Sequence, residues 1–514
     1  MAYINIPSLN YNNLQFDIIK KDMTKEEEIF ISNSLNHYLS NIKQQIDKYY
    51  EYWDYYKKLT NPYEFIHTQV PEIKISVCKY KPLSRSFFKM IEIINTFSFL
   101  CEKGTINSFH LAEGPGGFIE AFNYKRNNKG DKYYGMTLIS EDINIPSWKK
   151  SSQFINNNKN VIIEYGDTKT GDLFMKENLI YCFKNYANSM NYITGDGGFD
   201  FSVDFNKQEE LSIKLIIAQI FFAIIMQKKG GNFVLKIFDI FKFKTLEILF
   251  FLSNLYEYVY IYKPYTSRIA NSEKYIICKN FKNNNKNICN EIIDNFDYVL
   301  ENIDNIHSLF NIKLPKLFIK KIEEINAIYG QQQIENINTT LNFIREYINI
   351  KYNNYQFSES DSEDLVYEKE YDVFIEKNII DSCNIVLSIP LENSIDTELV
   401  NDLFKLNPNS NSFISPIISS ETNFKYIKED KFFLSKSNLS PSNLSINSDN
   451  EDKYSFGEED EFLFNTNNCS KLLQSNNFDK LNTKINFLKN INIQKSINWC
   501  NKYNFPINKY FLTN

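Results

Sequence analysis

The chain has 514 residues, 43% of them hydrophobic, and this length predicts two or more folded units rather than a single domain. Its 8 cysteines form no C-x-x-C pair, which argues against a disulfide-rich secreted protein and against a zinc site, and predicts a reducing compartment. The net charge of −6 excludes a chain that is basic throughout.

The charge is unevenly distributed along the chain. Residues 76–285 carry 27 Lys and Arg against 20 Asp and Glu, so this stretch is basic and its flanks are acidic. A basic stretch can neutralise the phosphates of a nucleic acid even in an acidic protein, because salt screens charges beyond about 10 Å. The same excess is also compatible with ordinary surface scatter.

No segment predicts export or membrane insertion. Met1–Asn10 lacks a basic stretch followed by an apolar core, and Leu215–Met226 is shorter than the about 20 residues that cross a bilayer. We therefore expect a soluble intracellular protein. The bias towards Asn, Ile and Lys is typical of a genome rich in A and T, such as that of a parasite or a large cytoplasmic DNA virus, which favours the cytoplasm over the nucleus.

Residues 1–75 are expected to form a helical N-terminal extension. The pattern over 24–58 predicts one long amphipathic helix that ends near Pro62. Its aromatic run, Tyr49 to Tyr56, is expected to pack on the next domain, although stacking on nucleic-acid bases stays open.

Residues 76–282 show short apolar runs that alternate with helical stretches, which predicts a parallel, doubly wound α/β sheet of seven strands. The expected strands are Phe109–Ala112, Tyr133–Leu138, Val161–Tyr165, Asn191–Gly195, Phe233–Ile237, Tyr258–Tyr262 and Lys274–Cys278. The expected helices are Phe118–Arg126, Gln208–Gln227 and Lys244–Leu255.

Beyond Lys282 the sequence predicts a mainly helical, partly disordered C-terminal region. Residues 283–356 contain helical patterns over Ile288–Phe310 and Leu317–Tyr352. Residues 357–461 are mixed, and their segments Ser358–Asp364 and Asn407–Glu461 are rich in Ser, Asn and acidic side chains, which predicts flexibility. Residues 462–514 regain apolar periodicity and are expected to dock on a folded part.

A glycine turn stands between the first expected strand and its helix. Glu113, Gly114, Pro115, Gly116 and Gly117 allow a tight turn, and the following helix N-terminus attracts an anion, either an amino-acid carboxylate or a pyrophosphate. The turn is neither G-x-G-x-x-G nor a P-loop, which disfavours dehydrogenases and P-loop nucleotidases.

Two further residues are expected at the same edge of the sheet. Asp167 follows the third expected strand and could accept a hydrogen bond from an adenine amino group, or it could merely cap the next helix. Thr137, at the end of the second strand, is a weaker candidate for the same pocket.

Four charged residues fall at strand ends or on the preceding helix: Lys89, Asp196, Lys236 and Glu273. Lys236 interrupts the apolar run from Phe233 to Phe238, and a buried charge is costly unless it is paired. Each residue alone is compatible with a salt bridge, but their joint occurrence around a glycine turn favours catalysis.

These four residues, in this order, resemble the K-D-K-E tetrad of the FtsJ/RrmJ family of RNA ribose 2′-O-methyltransferases. The similarity extends to Glu113–Phe118, Gly195–Phe199, Leu235–Asp239 and Lys263–Tyr275, and the last phrase is most similar to mRNA cap-specific members. The resemblance covers residues 76–282, about two fifths of the chain. It implies a Rossmann-like methyltransferase sheet and S-adenosylmethionine as methyl donor, with its methionine carboxylate at the glycine turn.

The resemblance also implies roles for these residues. Lys236 would take the proton of the ribose hydroxyl, since burial and the ammonium of Lys89 favour its neutral form, whereas Asp196 opposes this and is assigned to positioning. Glu273 would orient Lys89 or the ribose. Arg85, Lys263 and Arg268 are expected to hold phosphates or the cap, although each is equally compatible with a solvated surface charge. No metal is expected, since the histidines are scattered.

The resulting expectation is methylation of the first transcribed nucleotide of capped mRNA. Two alternatives stay open: methylation of rRNA or tRNA ribose, and a non-catalytic RNA-binding or assembly subunit that keeps the fold. The acidic C-terminal region is expected to contact capping or transcription machinery.

Overall fold

The central sheet contains the seven expected strands and one more. The structure is a computed structural model that describes residues 3–7, 15–21, 29–140, 142, 147–198, 205–282, 286–355 and 466–512. The strands of the sheet are β1 (Ile4–Ile6), β3 (Asn107–Leu111), β4 (Lys132–Met136), β5 (Val161–Glu164), β6 (Met190–Gly195), β7 (Gln227–Ile237), β8 (Tyr256–Tyr262) and β9 (Lys274–Phe281). A separate two-stranded sheet pairs β2 (Ile19–Lys20) with β10 (Ile306–Ser308).

The strand order is β1-β8-β9-β7-β6-β3-β4-β5. From β7 to β5 the neighbours are parallel, as alternating strands and helices predict. β9 runs antiparallel to β7 and β8, because residues 263–273 join β8 to β9 without a crossover helix. The mixed α/β class is confirmed, but the wholly parallel sheet was wrong at β9, and β1 adds an eighth strand beside β8.

Helices cover both faces of this sheet. They are α1 (Asn33–Asp47), α2 (Tyr50–Thr60), α3 (Ser86–Thr96), α4 (Gly117–Arg126), α5 (Ser152–Asn157), α6 (Lys176–Tyr186), α7 (Gln208–Met226), α8 (Phe243–Leu255), α9 (Lys286–Glu301), α10 (Lys316–Tyr355) and α11 (Thr466–Lys502). None of the helices among the described residues combines the length and apolarity that a bilayer crossing requires.

Two expected helices differ in the structure. The single helix over 24–58 was wrong: the described part forms α1 and α2, because Tyr49 between them has a non-helical backbone (φ −122°) and buries its ring. The helix expected over Ile288–Phe310 ends at Glu301, and the chain then forms β10.

Alternate side chains of each strand enter different cores, as the strand period of two requires. Phe109, Leu111 and Leu235 pack with α7, α8 and α9 in one core. Val234 and Tyr275 pack with α2, α3, α4 and α11 in the other. Lys236 lies two residues beyond Val234, so its side chain projects on the face that α3 covers.

Contacts divide the chain into unit 1, residues 1–348 with 475–514, and unit 2, residues 349–474. The borders expected near residues 75 and 282 both lie inside unit 1, so this division into modules stays a prediction. Within unit 1, α11 packs Trp499 and Tyr503 into the core beside α3. The segments expected to be flexible, Ser358–Asp364 and Asn407–Glu461, lie outside the described residues.

Candidate active site

The expected site residues follow strands that end at one edge of the sheet. Leu111 is in register with Met136 on one side and Gly195 on the other, and Gly195 is in register with Leu235. The glycine turn, Thr137, Asp196 and Lys236 therefore lie along the carboxyl edge of neighbouring strands, where open α/β sheets bind ligands.

The glycine turn has the steric constraint that its sequence predicts. Gly116 has φ +103°, a conformation that L side chains rarely adopt. A side chain at Gly117 would come within 2.2 Å of the hydroxyl oxygens of Ser84 and Ser86. Glycine at these positions thus lets the start of α4 approach the segment that leads into α3.

Glu113, expected among the cofactor-binding residues, contacts the backbone at the start of α4. It is buried, and its Oε1 accepts hydrogen bonds from the backbone N–H of Phe118 (2.6 Å) and of Ile119 (3.3 Å). These amides were expected to be free for an external anion, but the chain's own carboxylate occupies them. Burial, together with the charge of Asp196, raises the pKa of Glu113 well above its usual value, so the turn and Asp196 are electrostatic neighbours.

Thr137 and Asp167 lie in adjoining loops. Thr137 is buried, and its carbonyl packs so closely on Gly171 that a side chain there would meet it at 2.1 Å. Asp167 is exposed, and the residue that caps α6 is Met175, so the alternative reading of Asp167 as the cap of that helix is wrong. Its carboxylate remains accessible at the end of β5.

Lys236 and Asp196 are in contact. The Lys236 Nζ donates to the Asp196 carbonyl at 2.7 Å and lies 3.4 Å from its Oδ1. Tyr275, which is paired with Lys236 across β7 and β9, donates its hydroxyl to the same Oδ1 at 2.9 Å. A side chain at Gly198 would lie 3.1 Å from the Lys236 Nζ, so this glycine leaves room for the ammonium group.

Lys89 and Glu273 form the second pair. The Lys89 Nζ lies 2.7 Å and 2.9 Å from the two carboxylate oxygens, and Ser267 donates its hydroxyl to Oε1 at 2.8 Å. Burial alone would raise the pKa of Glu273, but the charges of Lys89 and Lys236 outweigh it and hold the carboxyl well below its usual range.

The two pairs converge into one cluster. Lys236 acts electrostatically on Glu273, and the Lys89 Nζ lies 6.0 Å from the centre of the Tyr275 ring. The four side chains are each about 12–13% exposed, so they are packed but reachable. The structure thus brings Lys89, Asp196, Lys236 and Glu273 together beside the glycine turn.

Sequence reasoning missed Tyr275 and Ser267 as members of this cluster. Both stand in the phrase Lys263–Tyr275, but neither carries a charge that would have singled it out. Their roles depend on the β7–β9 register and on the path of the loop over 263–273, which a local pattern does not reveal.

Two of the three residues expected to bind RNA share one buried carboxylate. Arg85 and Arg268 both contact Glu64, at 3.1 Å and 2.6 Å, and Arg85 also donates to the Thr266 carbonyl through Nε (3.0 Å) and Nη2 (2.6 Å). Burial alone would raise the pKa of Glu64. The two guanidinium groups outweigh the effect of burial and lower this pKa to about 2. The arginines keep partly exposed side chains beside the loop that carries Glu273.

Lys263 is not a surface residue, so its expected contact with phosphate was wrong. It is 3% exposed, and its Nζ donates to the backbone carbonyls of Asn271 (2.5 Å) and Glu273 (2.8 Å). Burial, followed by the charge of Lys274, lowers the pKa of Lys263 to about 7. Lys263 thus stabilises the loop over 263–273 through buried hydrogen bonds to its backbone.

The residues at the glycine turn fit a small cofactor that carries a carboxylate and an aromatic ring, such as S-adenosylmethionine. Trp148 packs on the turn, since side chains at Gly116 and Gly135 would meet its ring at 3.3 Å and 2.7 Å. Its buried indole N–H has no hydrogen-bond partner among the described residues, which leaves a donor for a ligand. The exposed carboxylate of Asp167 supplies an acceptor at the same edge.

Comparison with known proteins connects this geometry with a family. Residues 82–281 match the FtsJ-like methyltransferase family. Over 338 residues the chain is 27% identical to the cap-specific mRNA (nucleoside-2′-O-)-methyltransferase 2 of Danio rerio, covering 60% of this chain and 42% of that protein. It is 28% identical to the probable methyltransferase EP424R of African swine fever virus, covering 52% of this chain and 65% of that protein.

A third relative is named as inactive. The inactive cap-specific mRNA (nucleoside-2′-O-)-methyltransferase 1B of Caenorhabditis briggsae is 27% identical, covering 44% of this chain and 28% of that protein. The chain thus spans less than half the length of two of these three relatives. Together with the sheet order and the Lys-Asp-Lys-Glu cluster, the family match shows that residues 82–281 form an FtsJ-like methyltransferase domain.

Proposed function

We propose that the protein transfers a methyl group from S-adenosylmethionine to the ribose 2′-OH of RNA, at the first transcribed nucleotide of capped mRNA. The observation that carries this proposal is the convergence of Lys89, Asp196, Lys236 and Glu273 at the sheet edge beside the glycine turn. The names of the fish and nematode relatives support the capped substrate.

The four residues suit the chemistry of a weak nucleophile. When bound, S-adenosylmethionine supplies an electrophilic methyl group. Lys236, in its neutral form, would accept the proton of the ribose hydroxyl as the oxygen forms its bond to the methyl carbon, while the bond from that carbon to the sulfur of the donor would break and release the thioether product. Asp196 holds the Lys236 head in place, and Tyr275 in turn fixes the Asp196 carboxylate. The Lys89–Glu273 pair orients the ribose.

The same proposal assigns the cofactor to the sheet edge. Gly114, Pro115, Gly116 and Gly117 let the cofactor approach the backbone, Thr137 lines the pocket, and Asp167 accepts from the adenine amino group. Glu113 supports the turn from within by its bonds to the start of α4. Arg85 and Arg268, held by Glu64, face RNA phosphates from the loop side.

The test is mass mapping of the methyl group on a short RNA after incubation with protein and donor, with capped and uncapped transcripts compared. Methyl on the first ribose of capped RNA alone is the expected result. Equal methylation of uncapped RNA would favour an rRNA or tRNA substrate. Absence of transfer, with RNA still bound, would favour a non-catalytic subunit, the condition suggested by the name of the nematode relative.

Two further parts of the proposal concern the cellular setting. We place the protein in the cytoplasm as part of this proposal, and the similarity to a protein of African swine fever virus is compatible with a viral source. The acidic region after residue 356 is proposed to contact capping or transcription machinery. Pull-down with a variant in which a Gly/Ser linker replaces residues 349–474, compared with the full chain, tests that contact.

A further inference from the structure

Exposed lysines gather at the amino edge of the sheet, on the side away from the catalytic cluster. β3, β4 and β5 are parallel neighbours, so their first residues and the loops before them lie at one edge. Five exposed lysines stand in these loops, at the start of β4 or in the last turn of α4, and we call them the amino-edge lysines: Lys103, Lys125, Lys129, Lys132 and Lys159. The proposed reaction uses none of them.

The loops that carry these lysines are fastened to one another. Arg126 donates through Nη2 to the Gly104 carbonyl at 2.6 Å, which joins the end of α4 to the loop before β3. The Asn160 side-chain amide donates to the Asn128 carbonyl at 3.4 Å, which joins the loop before β5 to the loop before β4. The backbone that presents the lysines is therefore held in place before a partner binds, and binding needs little further ordering of it.

The carboxylates of these loops are already engaged. Asp131 is 1% exposed and accepts from the Arg126 Nε at 2.8 Å and from the Ile106 backbone N–H at 2.9 Å. Both carboxylate oxygens of Glu102 lie within 3.0 Å of the Tyr192 hydroxyl. Within the part of the chain that the structure describes, none of the amino-edge lysines has a carboxylate at ion-pair distance. Their positive charge is therefore available to a partner.

The amino-edge lysines act together on an anion. Neighbouring strands lie about 4.8 Å apart, so β3, β4 and β5 span about 10 Å at this edge. This span is about one Debye length at physiological salt, so an anion between the loops is attracted by several lysines at once. An anion whose charges repeat along a chain therefore fits this surface better than a single phosphate or carboxylate does.

Neighbouring polar and aromatic groups favour RNA over an acidic peptide. Asn127, Asn156 and Asn157 are exposed beside the lysines, and amide side chains bind phosphate oxygens and sugars. Tyr124, next to Lys125 in the last turn of α4, is 40% exposed and offers a ring on which a base can stack. An acidic peptide has no base for this ring.

The distance from the catalytic cluster determines which part of an RNA can reach this surface. β3 separates the two edges of the sheet, and its 5 residues span about 16 Å at about 3.3 Å each. Three stacked nucleotides span only about 10 Å. An RNA whose first ribose lies at the Lys-Asp-Lys-Glu cluster therefore reaches the amino edge only through nucleotides further along the strand.

We propose that the amino-edge lysines bind the single-stranded RNA downstream of the nucleotide that is methylated. The RNA then contacts two opposite edges of one sheet, the carboxyl edge with its reacting ribose and the amino edge with its phosphates. This inference rests on the proposed function, because it locates the remainder of the same substrate. Its binding step can be measured without methyl transfer.

The binding test uses the full chain and an uncapped, unpaired RNA of about 30 nucleotides, with fluorescence anisotropy measured at several salt concentrations. The combined variant Lys103→Gln, Lys129→Gln and Lys159→Gln removes one charge from each loop. The slope of log K against log salt concentration is expected to become shallower by about 2, since each phosphate contact in a single strand contributes about 0.7. The affinity at about 0.1 M salt is expected to fall at least tenfold.

The matched control combines Lys313→Gln, Lys316→Gln and Lys320→Gln, which makes the same charge change at exposed positions at and just before the start of α10. It is expected to keep the affinity and the slope of the unchanged protein. Unchanged affinity and slope in the amino-edge variant would overturn the inference, and so would an equal loss in the control. Polyglutamate of similar length is the second probe. If it binds more tightly than RNA and loses affinity in the amino-edge variant, the surface belongs to an acidic protein segment and the inference is overturned.

Methyl transfer separates this surface from the proposed reaction. With a capped RNA of about 30 nucleotides, the amino-edge variant is expected to raise KM roughly tenfold and to leave kcat unchanged, whereas with a capped RNA of three nucleotides neither should change. If no RNA is methylated but the amino-edge variant still loses affinity and slope, the surface stands and the transferase function falls. If transfer proceeds and the variant keeps the original KM for the long RNA, the reaction stands and the inference is overturned.

Discussion

Lys236 is the side chain on which the proposed reaction depends most directly. Its Nζ is held by Asp196 at the sheet edge, and Gly198 leaves space around it. Lys236→Met keeps most of the side-chain volume but removes the base, so we expect the kcat for methyl transfer to fall at least about 100-fold. Single-turnover transfer of labelled methyl to capped RNA measures this loss.

The control for that substitution is Lys229→Met, because Lys229 lies on the same strand and is exposed. It is expected to leave the kcat unchanged. If the Lys236→Met protein binds RNA and cofactor normally and still transfers methyl at the original rate, Lys236 is not the base.

Lys263 makes the free energy of unfolding depend on pH between about 7 and about 10.4. Burial lowers its pKa in the folded protein to about 7, whereas an unfolded lysine titrates near 10.4. Between these values the unfolded chain binds a proton that the folded chain does not, so the free energy of unfolding rises with pH. The gain is fully present only above the unfolded pKa and is lost as the pH falls to about 7.

We therefore compare the protein with Lys263→Met by urea unfolding at pH 7, 8 and 9. The free energy of unfolding of the unchanged protein is expected to rise relative to that of the variant, by up to about 1.4 kcal/mol per pH unit. Lys132→Met, at an exposed position of β4, should show no such difference. Parallel pH dependences of the unchanged protein and Lys263→Met would contradict the shift.

At the scale of elements, the loop over 263–273 is held by helices from distant parts of the chain. Glu92 on α3 is buried and accepts from the backbone N–H of Tyr265 (2.7 Å) and of Thr266 (2.8 Å). The same carboxylate accepts from the Trp499 indole on α11 at 3.0 Å. The loop that carries Glu273 is thus fixed by α3 and α11 together.

Trp499→Phe keeps an aromatic ring in the core but removes this donor. A buried carboxylate that loses one partner costs about 1–3 kcal/mol, so the variant is expected to melt at a lower temperature. Because the loop also carries Glu273, we expect kcat/KM for capped RNA to fall roughly tenfold at temperatures where the protein is fully folded. Trp53→Phe on α2 serves as control; a lower melting temperature with unchanged kcat/KM would limit Trp499 to a structural role.

Local sequence patterns predict part of this structure, whereas contacts between distant segments determine the rest. Apolar runs with polar ends predict the strands β3 to β9, and residues just beyond strand ends predict the four clustered charges, because both signals are local. The break between α1 and α2 could not be predicted, since it depends on the burial of Tyr49. The capping role of Glu113 and the depth of Lys263 also depend on contacts between separate segments.

At the scale of the whole molecule, unit 1 is built from two separated parts of the chain. α11 contributes Trp499, Cys500 and Tyr503 to the core that includes Phe87 and Phe88 of α3. A chain that ends at Lys282 would expose this core, so the family domain alone is not expected to be stable. The domain over 82–281 depends on segments outside it.

Unit 2 occupies residues 349–474, and within unit 1 the ends that flank it are close. Tyr347 contacts Phe478, and the Lys484 Nζ lies 2.6 Å from Glu346. Neither core cluster includes a described residue of unit 2. A short flexible linker can therefore join residue 348 to residue 475 without displacing the packing of α10 on α11.

We predict that replacing residues 349–474 with a Gly/Ser linker leaves methyl transfer to a short capped RNA within about twofold of the full chain, since the catalytic cluster and both cores stay complete. Thermal melting and steady-state transfer assays measure the outcome. Deleting residues 475–512 as well should abolish both folding and transfer, because it removes Trp499 and the ring of Phe505 from the core. Loss of transfer in the linker variant, with an unchanged melting temperature, would instead give unit 2 a part in binding the RNA.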